Sequence, residues 1–164
     1  MIYYISGLGA DHRVFEFLNI PFPYKHIIWV KPDKNDTLAS YSLRLLPQIN
    51  TSEDVILAGV SFGGMICQEI AKLIPCSKVI IISSIKSPQE MHWQLKLVRN
   101  TRIDRLFHSS LLKFMNFLTG PYYFGTQSAE EIKLLKAIIK DTDKKIYEVG
   151  YQCHNEMGKP RSLL

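Results

Sequence analysis

Val55-Ile56-Leu57-Ala58-Gly59-Val60-Ser61-Phe62-Gly63-Gly64 carries an unbroken apolar run into a serine set between glycines, and beyond it Ile66, Ile70 and Leu73 return at helical spacing. An apolar run of this length with no polar alternation predicts a strand over 55–60, buried on both faces of a parallel sheet. Residues 62–74 then read as a helix with Ile66, Ile70 and Leu73 facing inward and Pro75 behind its end. Between the two lies G-x-S-x-G, and the strand before it and the helix after it make the match informative. Gly59 and Gly63 let the backbone close tightly around Ser61, lifting its hydroxyl above the carboxyl edge of the sheet, where open α/β sheets bind ligands. The amide of Phe62, at the start of the helix, would then face an oxyanion forming on a substrate. A glycine-rich connection that merely contains a serine is the weaker reading in this context.

The same alternation extends upstream, as expected of βαβ units. Residues 2–6 read as a strand ended by Gly7-Leu8-Gly9, and Asp11 caps a short helix carrying Val14, Phe15 and Leu18. Residues 26–30 read as the second strand, followed by a loop with Pro32, Asp33, Asn35 and Asp36. Thr37 then caps a helix with Leu38, Tyr41, Leu45 and Leu46 on one side, and 79–82 form a fourth, almost wholly apolar strand. After Ser83 strands disappear. Two amphipathic helices, at about 104–118 and 128–140, form a helical insertion or cap joined by the aromatic stretch Gly120-Pro121-Tyr122-Tyr123-Phe124-Gly125. Packing of the cap onto the sheet accounts for those aromatics better than the lining of a pocket. The resulting division is a core over 1–85, a cap over 86–143 and an aberrant tail over 144–164.

With Gly59 to Gly64, the Ser6-Gly7-Leu8-Gly9 loop and a helical cap after the fourth strand, residues 1–143 resemble the α/β-hydrolase superfamily, the fold of esterases, lipases and thioesterases. The resemblance implies an α/β class with a parallel sheet, Ser61 as nucleophile, and the backbone N–H groups of Leu8 and Phe62 as the oxyanion hole. It implies acyl transfer on a carboxylic ester or thioester, with no cofactor and no metal. Many members have histidine where this chain has Ser6, which keeps the main-chain donor but leaves the support of the loop unassigned. A dinucleotide-binding G-x-G-x-x-G starting at Gly7 fails, because the third glycine position is His12 and the helix beyond lacks the small residue that close packing requires. No phosphate-binding G-x-x-x-x-G-K-[ST] occurs, and no histidine pair has zinc-ligand spacing.

A serine nucleophile needs a base and an acid to orient it, in chain order Ser, Asp or Glu, His. His92 and His108 fall in or beside the cap and read as surface residues, His154 falls in the tail, and His12 reads as a polar residue at a helix start. After Asp141-Thr142-Asp143 no apolar run of strand length follows, so the late strands of such a fold are expected to be missing. Codons compatible with 147–162, shifted by one nucleotide, spell an amphipathic helix, and Met157 followed by Gly158 forces tryptophan in that frame. The shifted text resembles the helix that follows this point in small bacterial hydrolases. A frameshift or truncation, with an impaired enzyme as its product, is the expectation. The alternatives are a non-catalytic hydrolase-fold module that binds a small carboxylate or a protein partner, and an interaction protein whose unpaired sheet edge is completed by another chain, with self-association through that edge.

Composition sets outer bounds. At 164 residues, 46% hydrophobic and 21% charged, the chain reads as one soluble globular domain without a disordered, collagen-like or membrane-spanning character. Met1 is followed by Ile-Tyr-Tyr-Ile without a basic segment or cleavage site, so the expected location is the cytosol. Cys67, Cys76 and Cys153 fit reduced thiols, with Cys67 in the core. The net charge of +5 is concentrated between Lys86 and Lys113, a stretch that alone carries +4, and no recognisable nucleic-acid-binding motif accompanies it. A solvated helix face explains it better than a nucleic-acid surface, leaving a small acyl substrate as the expected partner.

Overall fold

The computed structural model describes residues 1–33, 35–90, 125 and 128–141. Four strands form one parallel sheet in the order β2-β1-β3-β4: β1 (Ile2–Ile5), β2 (Tyr24–His26), β3 (Ile56–Val60) and β4 (Lys78–Ile82). Helix α1 (Leu38–Leu45) precedes β3, α2 (Phe62–Ile70) follows it, and α3 (Ala129–Asp141) matches the second expected cap helix. The expected helix at 104–118, the aromatics at 121–124 and the tail at 144–164 lie outside the described residues.

Strand alternation sorts β1 between two cores. Tyr3 and Ile5 join Leu57 on the face covered by Tyr41 and Leu45 of α1 and by Ile66, Cys67 and Ile70 of α2. Tyr4 points the other way, to Ala58 and Phe15. Each fully buried aliphatic side chain in the first cluster contributes roughly 1.5–3 kcal/mol through the removal of apolar surface from water. Cys67 belongs to that core, and burial, with a smaller contribution from Cys76, pushes its thiol up to about 12.

Local chemistry fixes the helix starts. Thr37 and Ser40 exchange backbone-to-side-chain bonds of 2.8 and 2.9 Å, a capping box at the head of α1. Near the end of α1, Arg44 pairs with the buried carboxylate of Asp36 and with Asp33 at 3.0 Å, while donating to the Lys31 carbonyl at 2.7 Å. Asp11 caps a single 3₁₀ turn (His12–Phe15) rather than an α-helix. Arg13 in that turn bonds Asp11 and reaches Asp141 of α3 at 3.1 Å, tying α3 to the far face of the sheet. Burial alone would raise the Asp11 carboxyl, but the hydrogen bonds and charge of Arg13 outweigh it and hold the group below its usual range.

Two expected boundaries shift, and the fourth strand is less buried than expected. The second strand is Tyr24–His26, not 26–30, because β1 pairs Ile2 with Tyr24 and the ladder ends one bond later, where the Ile27 amide donates to Tyr4. Past that point the Gln48 side chain bonds both backbone groups of Ile28, each at 2.8 Å, closing the strand off. The helix α2 stops at Ile70 instead of 74, so Leu73 lies on the surface and Gly63 and Cys67 take inward positions. Strand β4 is apolar as expected, yet Val79, Ile80 and Ile82 are each more than a third exposed, and among the described residues β4 pairs only with β3.

One consequence concerns pH. His26 is packed against Tyr4, Phe15, Tyr24 and His12, all within 5.7 Å between ring centres, and its Nδ1 is buried without a partner among the described residues. Burial, and then the charge of His12, lowers its pKa below the ordinary imidazole value of 6.5. The folded state therefore binds the proton less well than the unfolded chain, so this contribution to stability is present above pH 6.5 and is lost as pH falls below it. Thermal melting between pH 7.5 and 5.5 should show a declining midpoint, and His26→Phe should flatten that decline. An equally steep decline in the variant would assign the effect to other groups.

Candidate active site

The turn after β3 is strained and tight. Ser61 has φ 53 and ψ −119, a conformation rare for a residue with a side chain and one that costs of order 1–3 kcal/mol. It occupies the N-cap of α2 but its hydroxyl makes no capping bond, although serine at that position normally accepts one from the first turn. The side chain is exposed. Its amide donates to the Ile82 carbonyl at 2.8 Å, anchoring the turn to the end of β4, and its carbonyl accepts from Gly64 at 3.0 Å.

Both flanking glycines are sterically required. A Cβ on Gly59 would fall inside the backbone of Gly63, and a Cβ on Gly63 would fall inside the carbonyl oxygens of Ile5 and Ser6. Helix α2 thus approaches β1 and β3 closely enough to start directly beneath Ser61. Ser84, after β4, limits Gly64 in the same way, at 2.6 Å from a Cβ built there.

The loop after β1 lies against this turn. A Cβ on Gly7 would sit 3.5 Å from that of Ser61. The Ala10 amide donates to the Gly7 carbonyl at 3.1 Å, closing a turn over Leu8 and Gly9 in which Gly9 has φ 75, the left-handed geometry that favours glycine. Ser61, Phe62 and the Leu8 segment expected from the sequence therefore come together at the carboxyl edge of the sheet.

The support of the loop, unassigned from sequence, is visible. Ser6 is buried and donates its hydroxyl to the Ala10 carbonyl at 2.9 Å, while Trp29 Nε1 donates to Ser6 Oγ at 2.8 Å and to the Ala10 carbonyl at 3.1 Å. The Trp29 ring stacks on Phe62 and on Tyr41, each at 5.9 Å between centres. Sequence reasoning missed Trp29; its only signal was an indole after the second strand with a serine in place of histidine after the first. His12 is exposed at the start of its 3₁₀ turn, as expected, with its ring tilted against that of His26 at 5.5 Å between centres. His92, His108 and His154 lie outside the described residues, and no histidine after Ser61 lies within them.

A parallel sheet ordered β2-β1-β3-β4, with a strained serine turn between its third strand and the following helix, is an α/β-hydrolase fold. Two solved structures of that fold superpose on the chain: MenH from S. aureus, with a TM-score of 0.70, and a thermophilic esterase from Thermogutta terrifontis with malate bound, with a TM-score of 0.63. Each is 14% identical and covers 95% of this chain, which spans 67% of the first and 63% of the second. No protein-family model matches the sequence, and comparison with curated proteins gives no match. Among the described residues no helix is long and apolar enough to cross a membrane.

Proposed function

We propose that Ser61 is the nucleophile of a serine hydrolase acting on a carboxylic ester or thioester, with the backbone N–H groups of Leu8 and Phe62 as oxyanion donors. The observation that carries this is an exposed serine held at positive φ with its hydroxyl withheld from capping. A serine needed only as a cap would adopt extended backbone and bond the first turn, as Thr37 does. Ser61 Oγ attacks the acyl carbon and its proton passes to a base outside the described residues. The bond to the alcohol or thiol leaving group breaks as that group takes up a proton, and water then releases the acyl group from Ser61. Both superposed proteins are longer than this chain, within which 1–85 are read as the hydrolase core, 86–143 as a cap and 144–164 as an aberrant tail. The partner is a small acyl substrate rather than a nucleic acid, and the location is cytosolic.

A fluorophosphonate tests the nucleophile, since its Oγ–P bond forms as fluoride leaves. One label per chain is expected in intact-mass spectra, slowly if base or acid is impaired, and none in Ser61→Ala. An unlabelled wild-type chain, or a label surviving in Ser61→Ala, overturns the assignment. Among the described residues β4 pairs only with β3 and its apolar side chains are partly exposed, which favours a second reading, an interaction module that self-associates through this edge. Sedimentation velocity should then give a size that grows with concentration, whereas a constant monomer removes that reading.

A further inference from the structure

We infer that Trp29 is the positioning residue of the loop carrying the Leu8 amide, holding it against Ser61 through one bifurcated indole N–H. The inference rests on the reading of Ser61 as nucleophile for its catalytic meaning, but the brace itself can be tested without it. Three observations converge on this side chain. Its Nε1 donates to Ser6 Oγ at 2.8 Å and to the Ala10 carbonyl at 3.1 Å, so one donor grips the loop at its entry and its exit. Ser6 closes the same ring by donating to Ala10 at 2.9 Å, which leaves the Gly7–Ala10 turn suspended between two side-chain anchors. The same ring stacks on Phe62, the residue that bears the second proposed oxyanion donor, at 5.9 Å between centres.

One rigid aromatic plane therefore touches both halves of the proposed oxyanion hole, which come from segments more than fifty residues apart in the chain. A core tryptophan packed only for its area would need a partner for its N–H, and a single acceptor would suffice. Two acceptors on either side of one turn set the spacing between them. Preorganised donors contribute most when they need not move as charge develops, so loosening the turn slows the step in which the oxyanion forms more than it weakens binding.

Trp29→Phe keeps a stacking ring and deletes the N–H. In hydrogen exchange followed by NMR, the Ala10 amide, bonded to Gly7, should exchange about tenfold faster in this variant. With a fluorophosphonate, the maximal rate of Ser61 modification should fall about tenfold while the half-saturating concentration stays within about twofold. Ser6→Ala should do the same, and adding it to Trp29→Phe should bring little further loss, because both act on one ring of bonds. Tyr41→Phe is the structural control. It stacks on the same indole and loses its bond to the Val30 carbonyl, yet should leave both readouts within about twofold. Unchanged Ala10 exchange in Trp29→Phe, or equal acceleration in Tyr41→Phe, overturns the brace. Accelerated exchange with an unaltered modification rate overturns its positioning role. A wild-type chain that takes no label overturns the nucleophile, and with it the catalytic meaning of Trp29, while exchange still decides the brace.

Discussion

Gly63→Ala is expected to lower the melting midpoint by about 4–8 °C. The new carbon would lie inside the carbonyl oxygens of Ile5 and Ser6, backbone atoms at the end of β1 and just beyond it that cannot turn away as a side chain could. Overpacking of this kind costs about 3 kcal/mol, at the upper end of the usual range, and exceeds the gain of about 1 kcal/mol that alanine brings to a helix. In a domain of this size each kcal/mol moves the midpoint by about 2–4 °C. Gly7→Ala is the contrasting variant, because its Cβ meets Ser61 and Val60 only at 3.5 Å, an ordinary contact. Circular dichroism melts of the two proteins decide the matter. A Gly63→Ala midpoint within 2 °C of the wild type would mean that α2 can slide away from β1 without loss, contrary to the packing described.

Arg44→Met should cost about 2–3 kcal/mol in urea unfolding. Its guanidinium neutralises Asp36, whose carboxylate is only 7% exposed, and also satisfies the Lys31 carbonyl. Removal leaves Asp36 with two neutral donors, the Asp33 amide at 2.7 Å and the Ser40 hydroxyl at 3.0 Å. Breaking a fully buried pair costs about 3–5 kcal/mol, and the smaller figure here follows from the partial exposure of Arg44, which lets water screen the charge. The methionine stem retains contact with Tyr41, over whose ring the guanidinium lies at 5.9 Å. Adding Asp36→Asn to Arg44→Met should recover part of the loss, because the stranded charge is then gone. If the double variant is less stable than the single one, Asp36 contributes through its neutral hydrogen bonds and the charge argument fails.

What could be read beforehand was whatever a short stretch determines by itself. The apolar run ending at Val60, the glycines around Ser61 and the Thr37 cap are local statements, and each appears where expected. The second strand was misplaced because Ile27, Ile28 and Val30 look like a strand. The register of β1 instead selects Tyr24 to His26, while Ile27, Trp29 and Val30 are apolar because they pack toward α1. Leu73 fitted a helical period that α2 does not continue long enough to use. The brace through Trp29 was illegible for a different reason. It joins Ser6, Ala10 and Phe62 only after two strands and a helix have assembled, and no spacing in one dimension encodes that meeting.

The position of β1 at the centre of the sheet has a consequence for biosynthesis. It is made before either neighbour, yet its partners are Tyr24 to His26 on one side and Ile56 to Gly59 on the other. At typical elongation rates of about 5–20 residues per second, the edge of Ile2 to Ile5 that meets β3 stays open for several seconds, longer than the edge that meets β2. Helix α1 emerges in the interval and can shelter only the face bearing Tyr3 and Ile5. A ribosome stalled between α1 and β3 therefore displays an apolar strand with its β3 edge unpaired, and slow codons past Val60 would be safer than slow codons before Ile56.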